Sequence, residues 1–444
     1  MNKNNNGHRI TVFALFTMLL IIINNNIVIA QQQDKIITAE SVKPHIIELA
    51  DDKYEGRGAG YPGEEKAAGY IAKQFKKAGL KPYGDQAGKK RSWFQEFNFQ
   101  VMHPIKPWEI FKSENVIGLI EGNDPILKNE FVVIGAHYDG QGRKGQADPM
   151  RFLSKDSSSL KDEIWNSAND NATSVAAIIE IANAFKEGKL KTKRSILLIA
   201  FGAEEHGMLG SIYYVNHPAF PLKDHVAMIN LEKLGRSTGK PFNTIGNANS
   251  LVWDETIKAI QNQTTTKVVM TSPYVIPDSD HYPFNAVRIP AIVFYTTGVA
   301  AHYPDDHSDK IDFNRVAEAA NFVMQMVTAL ADRSQRPQYV PAPMPDLGLS
   351  AHLATNAEAD AMGLKAPDGG LKVTGVIAGL PGAIGGLQPG DLIIEFANSK
   401  FIRDEPLESL QKKHMDVLMG KQGNKFKTIV IRNGKTEVLE VSLR

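Results

Sequence analysis

The sequence predicts an α/β fold, a mostly parallel mixed sheet covered by helices on both faces, followed by a small β-rich domain. Short apolar runs alternate with helical patterns over most of the chain. Residues 332–345 then carry four prolines and no periodicity, and the texture beyond them changes to short strands with glycine turns. We therefore expect a large domain at 31–331, a linker at 332–345 and a second domain at 346–444.

Two helices are expected before the first strand. Glu40 to Ala50 is amphipathic, and Lys66 to Ala78 repeats apolar residues at helical spacing until Gly79. The glycine-rich segment 51–64 between them is expected to form a loop.

The alternating part of the chain follows. Its short apolar runs read as buried strands, at Asn115–Ile120, Phe131–Ala136, Ser195–Ala203, His225–Leu231 and Ile289–Tyr295. Helices are expected at Ala172–Phe185, His206–Val215, Leu251–Asn262 and Phe313–Ala331. In the C-terminal part, strands are expected at Leu371–Ile377 and Asp391–Phe396.

Composition narrows the classes of function. A chain of 444 residues with 43% hydrophobic residues can bury a large core. A net charge of +1 gives no reason to expect a nucleic-acid partner. Cysteine is absent, which excludes a thiol nucleophile and thiolate metal ligands.

The N-terminus has the pattern of a secretory signal peptide. Lys3 and Arg9 precede an apolar run at 10–23, and the small residue Ala30 marks the expected cleavage point. The alternative is an uncleaved anchor, but this run is short of the roughly 20 residues that span a bilayer. We expect residues 1–30 to be removed and the protein to be exported to the periplasm or the exterior of a bacterium, without a stable membrane anchor.

Candidate metal ligands fall beside the ends of predicted strands or, for Asp170, just before a predicted helix. In open α/β sheets, sites form at the carboxyl ends of strands, so these side chains should converge. Two histidines and three acids suit zinc, and a shared carboxylate would suit a two-metal hydrolase. The candidates are His137, Asp170, Glu205, Glu232 and His302, with Glu204 next to one of them.

Spacing suggests separate roles for the remaining acids. Asp139 lies two residues after His137, where it can accept a hydrogen bond from the second imidazole nitrogen. Adjacent Glu204 and Glu205 point in different directions, so one can bind metal while the other acts as a general base. Taken singly, each such residue is more often a helix cap or a solvated charge. The coincidence of all of them favours the metal site.

The motifs resemble those of the M28 family of zinc aminopeptidases across roughly residues 38–331. They are Glu55-Gly-Arg-Gly58, Pro62-Gly-Glu64, His137-Tyr-Asp139-Gly, Asn169-Asp170-Asn171-Ala, Phe201-Gly-Ala-Glu204-Glu205-His-Gly, Ile229-Asn-Leu-Glu232, Ser279-Asp280-His281 and His302-Tyr-Pro-Asp-Asp.

The resemblance implies two zinc ions per chain. His137 and Glu232 would hold one, Glu205 and His302 the other, and Asp170 would bridge them. Glu204 would be the general base and acid, with Asp139 supporting a ligand. Many relatives have Asp at the position of Glu232.

The last histidine is the least regular part of the pattern. The family often has Tyr directly before it, where this chain has Ala301, while Tyr303 follows instead. His281 and His307 are alternatives to His302. Asp280, His281 and Tyr303 are candidates for shaping the site or contacting substrate.

Residues from about 346 to 444 resemble a PDZ domain. The matching parts include Leu347-Gly-Leu349 and Gly385-Gly-Leu-Gln-Pro389-Gly390-Asp391. The resemblance implies binding of a C-terminal peptide as an added strand. A module that only packs and binds nothing is the alternative.

The expected function is therefore an exported two-zinc aminopeptidase acting on peptide substrates. A hydroxide bridging the metals would attack the peptide carbonyl, with Glu204 taking the proton from the water. An amidohydrolase or a one-zinc acyltransferase like glutaminyl cyclase would keep the same fold. An inactive protein that binds peptides through its PDZ-like domain is the alternative of another class.

Overall fold

A computed structural model describes residues 36–101, 109–143, 162–186, 190–236, 239–297, 302, 304–341, 346–405 and 424–442. The predicted signal peptide at 1–30 lies outside these residues. Within them, no helix is both long and apolar enough to cross a membrane.

Among the described residues, the larger sheet has nine strands. They are β1 (Lys81–Pro82), β2 (Phe94–Val101), β3 (Glu109–Ile120), β4 (Phe131–His137), β5 (Ser195–Phe201), β6 (His225–Glu232), β7 (Phe242–Ile245), β8 (Val268–Ser272) and β9 (Ala291–Tyr295). The order is β1-β3-β5-β4-β6-β9-β7-β8, and β2 pairs with β3.

This sheet is less parallel than the sequence predicted. The central strands β5, β4, β6 and β9 are parallel to one another, and β7 is parallel to β8. The pairings of β3 with β1, β2 and β5, and of β7 with β9, are antiparallel. The difference arises at both sides of the parallel centre, where β3 joins β5 and β7 joins β9 in antiparallel pairs.

Helices cover both faces, as predicted. They are α1 (Ala39–Leu49), α2 (Pro62–Lys77), α3 (Thr173–Phe185), α4 (Leu209–Asn216), α5 (Val252–Gln261), α6 (His281–Ala286) and α7 (Phe313–Asp332). Shorter helical turns lie at Asp52–Arg57, Leu127–Asn129, Ala168–Ala172, Glu204–His206, Leu222–Asp224, Asn247–Asn249 and Ser308–Lys310.

Successive residues of the central strands face opposite cores. In β4, Val132 and Ile134 pack in the cluster that contains α1, α3 and α7, whereas Val133 packs in the cluster that contains α4 and α6. Because both faces of each strand are covered, these strands are continuously apolar rather than alternating. Their polar residues therefore lie at or near the strand ends, which is where the site lies.

The C-terminal part forms a second sheet, whose strands are all antiparallel. They are β10 (Leu349–Leu353), β11 (Leu371–Val376), β12 (Leu392–Phe396), β13 (Ser399–Lys400), β14 (Lys425–Arg432) and β15 (Lys435–Ser442), with helices α8 (Asn356–Ala361) and α9 (Pro381–Ile384). Two short antiparallel ribbons lie outside both sheets; they pair Gln86–Ala87 with Lys90–Arg91 and Gly142–Arg143 with Ile164–Trp165.

The second sheet packs on helix α4 of the larger domain. The Asn216 side chain donates to the carbonyl of Val376 (3.0 Å) and accepts from the amide of Ala378 (2.8 Å). Ile377 and Leu380 belong to the same buried apolar cluster as residues of β5 and α6. The two sheets therefore share part of one hydrophobic core.

Candidate metal centre

His137 lies at the carboxyl end of β4 and is buried. Its Nε2 is 3.2 Å from Asp170 Oδ1 and 3.5 Å from Glu232 Oε2. Glu232 ends the adjacent parallel strand β6, so the sheet itself brings the two side chains together. These three residues form one potential donor set, with ligand atoms within 4.8 Å of one another.

A second donor set shares Asp170. His302 Nε2 is 3.3 Å from Asp170 Oδ2 and 3.2 Å from Glu205 Oε2. The ligand atoms of these three residues also lie within 4.8 Å of one another. One carboxylate therefore faces a histidine on each side.

Glu204 is also close to this cluster. Its Oε2 lies 3.9 Å from His137 Nε2, and with His137 and Glu205 it forms a further group of potential ligands. Burial raises the pKa of Glu204 well above its usual range, and the neighbouring Glu205 adds to the shift. A carboxyl group with a raised pKa can both accept and release a proton.

Asp139 binds the turn that carries the two glutamates. Its Oδ1 accepts the backbone N–H of Glu204 and its Oδ2 that of Glu205, each at 3.0 Å. His137 Nδ1 lies 3.2 Å from the main-chain carbonyl of Asp139 and 3.5 Å from its carboxylate. The closest contacts of the Asp139 carboxylate are thus with the backbone of Glu204 and Glu205, and the predicted contact with the His137 imidazole is longer. The sequence spacing did not reveal the contact with this turn.

Asp306 is a functional candidate that the sequence analysis missed. Its buried carboxylate accepts the backbone N–H groups of Asn169 (2.9 Å) and Asp170 (3.0 Å). Burial raises the pKa of Asp306 to about 6, even though these two bonds favour the ionised form. Asp306 is the second acid of the His302-Tyr-Pro-Asp-Asp motif, and this position could have indicated its role.

The segment around Asp170 is held from several directions. Asn171 donates its side-chain N–H to the carbonyl of Leu231 (2.9 Å), and Asn169 accepts the amide of Gly235 through its side-chain oxygen (2.8 Å). The two asparagines thus tie this segment to the end of strand β6 and to the residues that follow it. This accounts for the Asn-Asp-Asn sequence better than a helix cap does.

Arg57, in the Glu55-Gly-Arg-Gly58 motif, holds the backbone that precedes Asp170. The guanidinium is fully buried and donates to the carbonyls of Tyr138 (2.8 Å), Asn166 (2.8 Å) and Ser167 (2.7 Å), as well as Leu49. It connects the end of β4 to the segment that leads into Asp170. Burial lowers the pKa of Arg57 to about 10.

Glu232 is oriented by its own neighbours. Ser279 Oγ donates to Glu232 Oε1 at 2.6 Å, which leaves Oε2 directed at His137. Lys233 Nζ lies 3.3 Å from the same Oε2 and 4.0 Å from Asp170 Oδ2. Burial alone would lower the pKa of Lys233, but the carboxylates of Asp170 and Glu232 raise it above its usual value.

The alternative histidines lie outside the donor sets. His307 contacts Asn166 (2.6 Å) and Asp162 (3.0 Å). His281 is fully buried, its Nε2 is 3.9 Å from Asp278, and burial lowers its pKa to about 4.

The remaining candidates are Asp280 and Tyr303. Asp280 is buried and accepts a hydrogen bond from Ser211, and burial raises its pKa to about 8. Tyr303 lies outside the described residues, so its predicted role stays a prediction.

The donor sets fit zinc. All ligand atoms are imidazole nitrogens or carboxylate oxygens, and each set leaves room for a further ligand, as zinc sites in enzymes do. Asp170 Oδ2 is buried and accepts no hydrogen bond of good geometry within the described residues. Such a buried acceptor is costly unless a cation or donor satisfies it.

Comparison with known proteins finds a family match for part of the chain. Residues 115–327 match the model of Peptidase family M28. This M28 region contains all five candidate ligands. Over 240 residues, the chain is 27% identical to aminopeptidase YwaD of Bacillus subtilis (strain 168), covering 51% of this chain and 47% of that relative. The match thus spans about half the length of the relative.

Solved structures show the same fold. A zinc aminopeptidase from Bacillus subtilis superposes with a TM-score of 0.51 at 18% identity, covering 67% of this chain and 96% of that one. Glutaminyl cyclase from Porphyromonas gingivalis gives 0.50 at 17% identity, covering 66% and 98%. Together with the family match, these likenesses support a zinc metallopeptidase. The fold alone does not choose between hydrolysis and cyclisation, because both proteins have it.

Proposed function

We propose that this chain is a two-zinc aminopeptidase that removes N-terminal residues from peptides. The observation that carries the proposal is the position of Asp170, whose Oδ1 is 3.2 Å from His137 Nε2 and whose Oδ2 is 3.3 Å from His302 Nε2. Under the proposal, this carboxylate, with one oxygen in each donor set, would bridge the two metal ions. Under this proposal, Glu232 completes one set and Glu205 the other.

Zinc in these sets would supply a Lewis acid for the peptide carbonyl and lower the pKa of a nearby water. Glu204 is proposed to take the proton from that water and to deliver it to the leaving amine. Its partial exposure and raised pKa support this role, whereas Glu205 is more buried and faces His302. Asp139 would hold the Glu204 backbone in position.

The main rival is transfer within the substrate rather than to water, as in glutaminyl cyclase. The likeness in fold supports it as well as hydrolysis. The two complete donor sets favour hydrolysis, because a single zinc would leave one of them without a function.

A substrate panel tests the proposal. Purified full-length protein would be assayed on aminoacyl-naphthylamides and on a peptide with N-terminal glutamine, with and without a chelator, while zinc per chain is counted. We expect two zinc ions and chelator-sensitive release of naphthylamine. Cyclised glutamine without hydrolysis would favour the rival. A zinc-loaded protein without either activity, but with peptide binding, would favour the inactive binding protein.

We also propose that the C-terminal sheet is a PDZ-like domain that binds a peptide C-terminus. Strand β10 lies at the end of the sheet order, next to β11, so an extended peptide could pair with its other edge. The Leu347-Gly-Leu349 segment leads directly into it. Fluorescence anisotropy with labelled peptides, each compared with its C-terminal amide, tests this: a ligand captured by its carboxylate loses affinity on amidation.

Export is proposed from the N-terminal pattern alone. Expression in a bacterium followed by N-terminal sequencing of the periplasmic protein should give a chain that begins near Gln31. An intact N-terminus in the membrane fraction would instead show an anchor.

A further inference from the structure

Lys233 places a cation between the two donor sets. It follows Glu232 directly, and its Nζ is 3.3 Å from Glu232 Oε2 and 4.0 Å from Asp170 Oδ2. Neither contact follows from the family motifs, because the motif Ile229-Asn-Leu-Glu232 ends directly before Lys233. The contact with Glu232 involves the same oxygen that faces His137.

The backbone of Lys233 is held in an uncommon conformation. Its φ is 51°, in the left-handed region that a residue with a long side chain rarely adopts. Its amide donates to Asn171 Oδ1 at 3.1 Å, and its carbonyl accepts a hydrogen bond from Thr296. Both backbone groups are therefore fixed, one of them by the neighbour of Asp170. Such a conformation persists only when its surroundings enforce it, and here it directs the lysine towards the carboxylates.

We propose that Lys233 makes the two zinc sets unequal, because its ammonium acts as an internal counter-ion that weakens zinc binding to the His137–Asp170–Glu232 set. This inference rests on the proposed two-zinc function. A zinc ion in that set would bind Glu232 Oε2 at about 2 Å, and the ammonium already lies against this oxygen. Two cations sharing one carboxylate oxygen repel each other strongly in a buried site.

The two sets differ in their distance from this charge. Lys233 Nζ is 3.3 Å from Glu232 Oε2, an oxygen of the first set, and 4.0 Å from Asp170 Oδ2, the oxygen that faces His302 in the second set. The side chain of Lys233 is 28% exposed, so the ammonium can withdraw towards solvent when zinc enters. Zinc binding to the first set must then break the Lys233–Glu232 ion pair, whereas binding to the Asp170–Glu205–His302 set leaves that pair in place.

A zinc titration tests this. Metal-depleted full-length protein would be titrated with zinc against a chromophoric chelator, comparing wild type with Lys233→Met, which keeps the chain length without the charge, and Lys233→Arg, which keeps the charge. Lys112→Met removes an exposed lysine that pairs with Glu96 and is the matched control. For wild type we expect two steps of different affinity.

The expected result is specific to one step. In Lys233→Met the weaker step tightens by about tenfold or more, while the tighter step changes by less than about threefold. Lys233→Arg and the control keep the wild-type difference. A wild type that binds one zinc and a Met variant that binds two would support the same inference. Lys233→Gln replaces Met if that variant does not fold.

Other outcomes overturn the inference. If wild type and Lys233→Met both bind two zinc ions with the same constants, or if both steps shift together, Lys233 does not set the difference, and the two-zinc proposal still stands. If both bind only one zinc, the two-zinc proposal itself fails, and this inference fails with it.

Discussion

The carboxylate of Asp139 holds the backbone of Glu204 through a hydrogen bond of 3.0 Å, and its other oxygen holds Glu205 in the same way. A residue two positions after strand β4 thus positions the turn after strand β5. This one side chain therefore positions both the proposed base, Glu204, and a proposed ligand, Glu205. Asp139 is therefore better described as the support of the turn than as the partner of the His137 imidazole.

Replacing Asp139 by Asn should disturb this support. An amide side chain has one acceptor oxygen, so its NH₂ group would face one of the two backbone N–H groups. We expect kcat on an aminoacyl-naphthylamide to fall about 10–100-fold, with KM changing less. Steady-state kinetics and zinc analysis of the folded variant provide the check. Unchanged kcat would show that the turn keeps its geometry without this carboxylate.

Glu204→Gln should separate catalysis from metal binding. The substitution removes the proposed base but keeps the size of the side chain, so we expect kcat to fall by about 10²–10⁴-fold or more, with zinc content unchanged. Elemental analysis beside the kinetics is the measurement. If zinc is lost together with activity, Glu204 is a ligand, as its grouping with His137 and Glu205 would allow.

Asp306→Ala should weaken metal binding without removing a ligand. The variant leaves the amides of Asn169 and Asp170 without their acceptor, and Asp170 is the proposed bridge. We expect zinc affinity to fall about 10–100-fold. Chelator competition measures it, with Asp305→Ala, at the neighbouring carboxylate, as the control. Equal affinities of the two variants would argue against the role of Asp306.

His225 should contribute to the pH dependence of stability. It is buried against Tyr214, with 2.8 Å between Nε2 and the hydroxyl, and burial lowers its pKa to about 4. The unfolded chain, with a histidine pKa of about 6.5, takes up a proton first as the pH falls. Stability should therefore drop between about pH 6.5 and 4, by roughly 3 kcal/mol from this group.

Denaturant unfolding across this pH range gives the measurement. His225→Gln lacks the titrating group, so its free energy of unfolding should fall less steeply than that of the wild type over the same interval. Parallel pH profiles for the two proteins would mean that other groups account for the loss.

The shared core makes the two sheets interdependent. Ile377 is fully buried in the cluster that includes Phe201 and Phe284 of the M28 region, whereas Val438 on the outer hairpin is 63% exposed. We expect Ile377→Ala to lower the free energy of unfolding by about 2–5 kcal/mol and Val438→Ala by less than about 0.5 kcal/mol. Deleting residues 336–444 should likewise lower the melting temperature of the remainder.

This expectation departs from the separable domains that the proline-rich linker suggested. Independent unfolding of the C-terminal sheet, with Ile377→Ala leaving the transition of the M28 region unmoved, would restore the simpler view. Calorimetry of the full chain and of the truncated chain distinguishes the two.

The sequence predicted the centre of the larger sheet well because its physical signal is strong. A run such as Phe131–Ala136 is apolar throughout, which requires cover on both faces, and its ends are where polar residues become functional. Strand β2 was missed although its signal was present. Gln95, Phe97 and Phe99 are buried while the residues between them are exposed, the period of a half-covered strand.

The sequence predicted which residues donate to the metal site, but not every residue that positions them. The donor residues followed from their places beside strands and from the family motifs. The role of Asp306 depends on the direction of backbone N–H groups, and that of Lys233 on its left-handed φ. Neither can be predicted from one sequence. The packing of Gly375 against Ile212 was not predictable from the sequence either, because a glycine in a strand does not indicate which part of the protein packs against it.

The five proposed ligands are spread from residue 137 to residue 302, and only Glu204 and Glu205 among the clustered groups are neighbours in the chain. An unfolded or half-folded chain therefore offers zinc no comparable chelate. Zinc would bind the completed sheet far better than any precursor, and by mass action it would shift the folding equilibrium towards that state. Metal supply would then govern how long the protein survives proteases as well as whether it turns over substrate.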